Sequence, residues 1–356
     1  MWKLRIQLPC KAAPCLHYAS VQTGCTDCYT KITREVFAVE NKLIVSSSPH
    51  LKSDISTAGV MRDVIIALIP TLVAAVILFG FRALVVTATC VLFCIVFEYL
   101  FNRITKREQT VGDFSAIVTG ILLAFNLPVT LPLWMCVIGS FVSIVIAKQL
   151  FGGLGQNFAN PALVGRIVLM ISFATQMSTW AVPFYYRQPE IVTSATPLAV
   201  IPQVMNGELP AQNLPGLPDL LLGTTGGCLG ETCAVTLILG GIYLVARKVI
   251  SPAAPLAFIG TVFVFTALMG AYPLHQILSG GLLLGAIFMA TDYTTTPVTF
   301  WGKIIFGIGC GLITCLIRLF GSFAEGVSFS IILMNILTPY IDQWTRSKPF
   351  GGVKTA

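Results

Sequence analysis

Five ionisable residues stand within or at the ends of long apolar stretches of this sequence: Glu98, Arg166, Glu231, Asp292 and Glu325. A charge in apolar surroundings is costly unless it is paired or reaches water, so such residues mark structural ion pairs or ion pathways. Arg166 and Glu231 fit a structural pair, Glu325 a helix cap, and Asp292 the support of unwound backbone. Glu98 lies deep inside its stretch. We therefore predict Glu98 and Asp292 as ion-pathway residues, with a structural partner as the alternative for Glu98.

A second group of reactive side chains lies in the polar stretch E-I-V-T-S-A-T-P-L at positions 190–198. Serine and threonine hydroxyls ahead of a proline are typical of a turn or a helix N-terminus, where the hydroxyl caps a free backbone N–H. By local physics alone, this stretch predicts a turn.

Cysteines are crowded near the start of the chain. Four of the eleven lie in the first 28 residues, and Cys25 and Cys28 have the C-x-x-C spacing of a metal site or a thiol switch. No second pair follows at zinc-ribbon spacing, and His17 is a lone candidate ligand. We predict an unstructured leader and no metal site. The other seven cysteines are expected to pack as small apolar residues.

The composition is that of a membrane protein. Hydrophobic residues make up 55% of the 356 residues and charged residues 10%, with a mean hydropathy of +0.84, whereas a soluble domain carries about 25% charged residues. The net charge of +7 would suggest nucleic acid in a soluble protein. Here the basic residues fall between apolar runs, so we predict a lipid bilayer and no nucleic acid as partner. The apolar runs cover 62–79, 83–101, 114–127, 131–150, 161–180, 232–250, 255–271, 275–290, 301–319 and 326–341.

These runs predict an all-α integral membrane protein with about ten transmembrane helices. The third run ends near Asn126 and the eighth near Asp292, in sequence that predicts broken or re-entrant helices. The stretch F-G-G-L-G-Q-N at 151–157, before the fifth run, is echoed by F-G-S-F-A-E-G at 320–326, before the tenth. Two five-helix units in succession enter the membrane from opposite faces, so the echo predicts an inverted repeat.

Loop charge predicts the orientation, because basic residues collect on the cytoplasmic side of a membrane protein. On one side fall Lys42, Lys52, Arg62, Arg103, Lys106, Arg107, Lys148, Arg247, Lys248, Lys303, Arg346, Lys348 and Lys354. Both termini are then cytoplasmic. The predicted organisation is a disordered leader (1–38), a cytoplasmic segment (39–61), a first five-helix repeat (62–180), an external loop (181–231), a second repeat (232–341) and a cytoplasmic tail (342–356). For the leader, one explanation is a misassigned start at Val39, and the alternative is a genuine cytoplasmic tail.

From about residue 40 to 346, the sequence resembles the family of flavin-carrying membrane subunits found in the Rnf and Nqr redox complexes, the NqrB/RnfD family. The resemblance is carried by the 190–198 stretch and by G-L-G-Q-N (153–157), N-P-A (160–162), G-C-L-G-E-T (227–232), A-T-D-Y-T-T (290–295) and E-G-V-S-F-S-I-I-L-M-N (325–335). The short polar start at 41–50 and the modest length are similar to the RnfD branch, since NqrB has a longer N-terminal extension.

The resemblance implies a covalent flavin. By it, the Thr196 hydroxyl carries flavin mononucleotide (FMN) through a phosphoester, and Thr193 and Glu190 are recognition residues for a flavin transferase. The family usually has Asp where this chain has Glu190. This difference affects how efficiently the flavin transferase would attach FMN to Thr196. The resemblance also implies a second, noncovalent flavin, riboflavin, within the bundle.

The function implied by the resemblance is electron relay through FMN between ferredoxin and NAD, coupled to export of sodium ions or protons across the bacterial inner membrane. The implied partners are the other Rnf subunits (A, B, C, E and G) and the flavin transferase. No nicotinamide fingerprint and no ferredoxin-like cysteine run occurs in the membrane body, so partners must supply those chemistries. Two alternatives are the NqrB component of a sodium-translocating NADH:quinone reductase and an inverted-repeat transporter without a redox role.

Overall fold

The computed structural model describes residues 56–187, 196–205, 207, 209–210, 214–321 and 325–346, and the regular structure of these residues is helical. The helices are α1 (Thr57–Phe79), α2 (Phe81–Ile104), α3 (Ser115–Phe125), α4 (Leu133–Phe141), α5 (Pro161–Ser172), α6 (Ala174–Met177), α7 (Pro197–Met205), α8 (Leu217–Leu222), α9 (Ala234–Ala246), α10 (Ala253–Leu268), α11 (Pro273–Leu278), α12 (Leu282–Leu284), α13 (Phe300–Phe320) and α14 (Val327–Thr345). Two π-helical segments, Val142–Gln149 and Gly285–Met289, continue α4 and α12. The predicted leader lies outside the described residues.

Each of the ten predicted apolar runs contains a helix, which confirms the all-α fold class. The first helix begins at Thr57, earlier than the predicted 62, because the hydroxyl of Ser56 accepts a hydrogen bond from the Gly59 N–H at 3.1 Å and caps it there. The predicted external loop contains α7 and α8.

The helix surfaces are those of a membrane protein. On α1, Ile66, Ile69, Val73 and Ile77 follow one another at helical spacing and are 43–58% exposed. The opposite face of α1, which includes Leu68, is buried in the bundle. An apolar stripe that points away from the core is stable in lipid and unfavourable in water.

Within the part of the chain that the structure describes, three helices, α1, α2 and α13, are long and apolar enough to cross a membrane. The predicted break in the third run is confirmed: α3 has 11 residues, which span about 16 Å of a hydrocarbon core about 30 Å thick. The eighth run is broken as well, since it is divided into α11, α12 and a π-helical segment. Interrupted helices place unpaired backbone groups inside the bundle, where they need partners.

The loop before α9 supplies those partners for the broken end of α3. The N–H groups of Leu229 and Gly230 donate to the carbonyls of Leu127 and Phe125 at 3.1 and 2.9 Å. A Cβ on Gly230 would lie 2.3 Å from the Phe125 Cβ, so only glycine lets the two backbones approach this closely. The G-C-L-G-E-T stretch thus has a structural reason for its second glycine.

Replacing Gly230 with alanine should therefore lower the stability of the bundle by about 1–3 kcal/mol, because the added methyl group overpacks a fixed backbone contact. The matched control is Gly260→Ala on α10, where a Cβ would meet nothing within 4 Å. Thermal unfolding of the purified proteins in detergent measures both. Equal melting temperatures for Gly230→Ala and the unchanged protein would contradict the packing argument.

Helix neighbours repeat in the two halves of the chain. In the first half α2 packs against α3 and α4, and in the second α10 packs against α11 and α13. Between the halves, α1 contacts α9, and these are the first helices of the two halves. The last helices of the two halves, α5 and α14, also contact each other. This is the neighbour pattern that an inverted repeat produces. The number of repeats stays a prediction.

Candidate functional site

A buried lysine neutralises Glu98. The Lys148 Nζ lies 2.7 Å from Oε2 of Glu98 and 2.7 Å from the hydroxyl of Ser115. Glu98 also accepts a hydrogen bond from the Thr110 hydroxyl at 2.6 Å. Glu98 and Lys148 are at most 1% exposed. The structural partner that the sequence left open for Glu98 is thus Lys148, on the π-helical end of α4.

The sequence prediction for Lys148 itself was wrong. Lys148 was counted among the loop charges that report topology, yet it lies within the segment Val142–Gln149 and is buried. The backbone of this segment widens locally, since the Leu150 N–H donates to the carbonyl of Val145, five residues earlier. Widened turns of this kind occur frequently at functional sites.

Asp292 lies just past the second π-helical segment, at the end of the broken eighth run. Its Oδ2 accepts from the hydroxyls of Thr294 and Thr295 at 3.1 and 3.4 Å, so the carboxylate binds the side chains of the segment that follows the break. No ion pair in the described residues includes Asp292. It shares a cavity of about 80 Å³ with Lys148 and Ser115.

A second charged cluster surrounds Arg166 on α5. Its Nη1 donates to Asn126 Oδ1 at 2.6 Å, and its Nη2 lies 3.3 Å from Glu231 and also contacts Glu325. The thiol of Cys228 is 3.8 Å from the same Nη2. All five residues are buried. We call these residues the Arg166 cluster.

The cluster confirms one prediction and corrects another. Arg166 and Glu231 form the predicted pair. Glu325 was predicted as a helix cap, but α14 begins after Gly326 without a side-chain cap, because the Glu325 carboxylate is held by Arg166 instead. Asn126 was not predicted as a cluster member. The sequence feature that could have indicated its role is a polar amide at the end of a broken helix.

Thr196, directly before α7, borders the Arg166 cluster. Thr196, Glu231, Glu325, Ser279 and Gly280 line one small cavity of about 10 Å³, and Thr196 is buried. Glu190 and Thr193 lie outside the described residues.

The Ser279 hydroxyl in this cavity suits a phosphoester oxygen, whereas the carboxylates of Glu231 and Glu325, which also line the cavity, would repel one. The hydroxyl of Ser279 is buried and has no hydrogen-bond partner among the described groups. Arg318 on α13 is buried beside it, with Nη2 at 3.4 Å from the Ser279 carbonyl, and it forms no ion pair within the described residues. The volume, by contrast, is far below the roughly 300 Å³ of a ligand pocket. A flavin ring tethered at Thr196 would therefore lie outside this cavity.

The fold and its buried groups define a multi-pass membrane protein in which interrupted helices surround paired charges. The chain belongs to the NQR2, RnfD, RnfE family, whose family model matches residues 44–351.

Curated relatives match most of the chain, and three of them are D subunits of oxidoreductase complexes. The chain is 46% identical to that of the Na(+)-translocating ferredoxin:NAD(+) oxidoreductase complex of Acetobacterium woodii, over 88% of this chain and 97% of the relative. It is 41% identical to that of the proton-translocating ferredoxin:NAD(+) oxidoreductase complex of Clostridium ljungdahlii, with the same coverage of 88% and 97%. It is 33% identical to that of the ion-translocating oxidoreductase complex of Actinobacillus succinogenes, over 86% and 97%.

Proposed function

We propose that this chain is the RnfD component of an ion-translocating ferredoxin:NAD oxidoreductase complex of the Rnf type. The observation that carries the proposal is near-complete coverage of three D subunits of such complexes at 33–46% identity. The chain is a non-autonomous part of an enzyme, since the membrane body has neither a nicotinamide fingerprint nor a cysteine run for iron–sulfur clusters. The partners are the other Rnf subunits (A, B, C, E and G), and the location is the bacterial inner membrane.

The proposed cofactor is FMN, bound covalently to Thr196 and installed by a flavin transferase that recognises Thr193 and Glu190. When bound, FMN supplies one-electron transfer. The Ser279 hydroxyl supports this assignment, because it gives the cavity next to Thr196 an unpartnered donor for a phosphoester oxygen. The guanidinium of Arg318 places a positive charge beside Ser279, outside the lining of that cavity. A noncovalent riboflavin within the bundle is part of the same proposal, without assigned residues.

The proposed ion pathway includes Glu98 and Asp292. Glu98 lies in the last two turns of α2 and Asp292 follows the eighth run, and these two ends fall on the same side in the ten-helix topology. The cavity beside Asp292 reaches the lysine that binds Glu98. The widened helix that carries Lys148 and the break before Asp292 support the proposal, because such segments line ion sites in membrane proteins.

Purification of a tagged chain from native membranes tests the function. The proposal predicts that ferredoxin-dependent NAD reduction and the other Rnf subunits copurify with it. Copurification of quinone-reducing subunits would favour the Nqr alternative. A chain that purifies alone and carries no covalent flavin would favour a transporter without a redox role.

The proposed topology puts residue 108 inside and residue 212 outside the cell. In Glu108→Cys and Gln212→Cys, an impermeant thiol reagent applied to intact cells should label position 212 and leave position 108 unlabelled until the cells are opened. The unchanged chain is the control, since it contains eleven native cysteines. Labelling with the opposite pattern would reverse the orientation and the side on which Thr196 lies.

A further inference from the structure

Lys148 pairs with one carboxylate and shares a cavity with a second. Glu98 is paired with its ammonium group at 2.7 Å, whereas Asp292, which lines the same cavity as Lys148, is in no ion pair among the described residues. The single ammonium group of Lys148 can pair with only one of these two carboxylates at a time. A negative charge held within a membrane protein favours a bound cation.

The walls of the cavity supply further oxygen atoms. Ser115, Thr119 and Asn157 line it, and these side chains present hydroxyl and amide oxygens. The Oδ1 of Asn157 is buried without a hydrogen-bond partner in the described structure. Oxygen donors of this kind suit a small, hard cation.

The Lys148 side chain has the rotatable bonds that a change of partner requires. Its ammonium sits on a four-carbon stem with several rotatable bonds, and its backbone belongs to a π-helical segment, a local distortion of the regular helix. The Ser115 hydroxyl lies 2.7 Å from Nζ and also lines the cavity. It can therefore accept a hydrogen bond from the ammonium group at the edge of that cavity.

We propose that Lys148 is a tethered competitor of the transported cation: its ammonium occupies Glu98 when the ion site is empty and moves toward Asp292 when a small monovalent cation takes its place. This inference rests on the proposed ion pathway through Glu98 and Asp292. It gives the pathway a means of release, because the returning ammonium displaces the bound ion. It also predicts that the apparent cation affinity is weakened by the competitor, as for any site whose binding-competent state is only partly populated.

The test uses the intact complex in inverted membrane vesicles. The concentration of activating cation that gives half-maximal electron transfer from ferredoxin to NAD is measured, with Na⁺ titrated at fixed pH and H⁺ titrated without added Na⁺. Titratable groups near Glu98 are Lys148, which pairs with it, and the buried Cys94 on its own helix. Asp292 shares one cavity with Lys148, and the charged residues that line its other cavities are Lys303, Arg62, Asp63, Arg247 and Lys248.

Lys148→Gln removes the competing ammonium, so the half-activating cation concentration should fall about tenfold. A tenfold fall corresponds to about 1.4 kcal/mol of competition that the cation no longer has to overcome. The maximal rate should fall as well, because release of the ion becomes slow. Lys148→Arg should act in the opposite direction, since guanidinium binds a carboxylate through two parallel hydrogen bonds and competes more strongly. An unchanged half-activating concentration in both variants would overturn the proposal.

A structural ion pair makes a different prediction. If Lys148 only neutralised Glu98, the double variant Glu98→Gln/Lys148→Gln would remove both charges and restore cation activation. We expect the double variant to assemble but to stay inactive in ion uptake, and its full recovery would overturn the proposal. If Lys148→Gln does not assemble, Lys148→Arg decides: a raised half-activating concentration supports the competitor, and an unchanged one refutes it.

Two controls distinguish a failure of the Lys148 proposal from a failure of the proposed ion pathway. Arg103→Gln removes an exposed positive charge from the same helix as Glu98, where its contact is the Tyr99 hydroxyl at 3.0 Å, and should leave the titration unchanged. If Glu98→Gln and Asp292→Asn retain normal cation activation, the ion pathway itself fails. If those variants lose activation while both Lys148 variants behave as the unchanged complex, only the role of Lys148 fails.

Discussion

Thr196→Val should abolish the covalent flavin of this chain while leaving the protein inserted in the membrane. Valine keeps the shape of threonine but has no hydroxyl, so no phosphoester can form. Because Thr196 is buried against the Arg166 cluster, a substitution that preserves shape is needed to keep the surrounding packing. The measurement is ultraviolet fluorescence of the denatured, electrophoresed protein, since only a covalent flavin survives that treatment.

The chain offers a matched control in the same cavity. Thr232 lines it together with Thr196 and is equally buried, so Thr232→Val removes a neighbouring hydroxyl and should leave the fluorescence intact. Thr193→Val is expected to weaken modification without abolishing it, and Glu190→Asp to keep or improve it. Fluorescence that persists in Thr196→Val at the mass of this chain would move the attachment site elsewhere.

The helices of this protein could be predicted because the apolar length of a membrane span is a local property of the sequence. All ten runs contain helices, and the breaks near Asn126 and Asp292 were visible as polar interruptions. The helix ends were less predictable. They depend on single contacts, such as the Ser56 cap that starts α1 five residues before the apolar run.

Apart from the predicted pair of Arg166 and Glu231, the partners of the buried charges could not be predicted, because they are set by packing between distant parts of the chain. Lys148 and Glu98 are 50 positions apart, and Arg166 and Glu325 are 159 positions apart. A lysine at the end of an apolar run has the same local pattern whether it reaches the membrane surface or turns inward to a carboxylate. Only the position of α2 beside α4 decides between the two.

The Arg166 cluster should be the most sensitive point of the fold to a single substitution. One guanidinium is shared by the carboxylates of Glu231 and Glu325, and all three groups are buried. Arg166→Met keeps much of the side-chain volume but leaves two buried carboxylates without a positive partner. Removing one member of a buried ion pair costs about 3–5 kcal/mol, which is a large part of the stability of a typical domain.

We therefore expect Arg166→Met to yield little monodisperse protein in detergent and a strongly lowered melting temperature. Arg247→Met is the matched control: Arg247 pairs with Asp63 at 3.3 Å, but its side chain is 59% exposed, and exposed pairs contribute about 0–1 kcal/mol. The triple variant Arg166→Met/Glu231→Gln/Glu325→Gln should recover part of the stability, because the unpaired charges are gone. A stable Arg166→Met protein would mean that the two carboxylates are not both charged in the folded bundle, and the electrostatic account of this cluster would have to be abandoned.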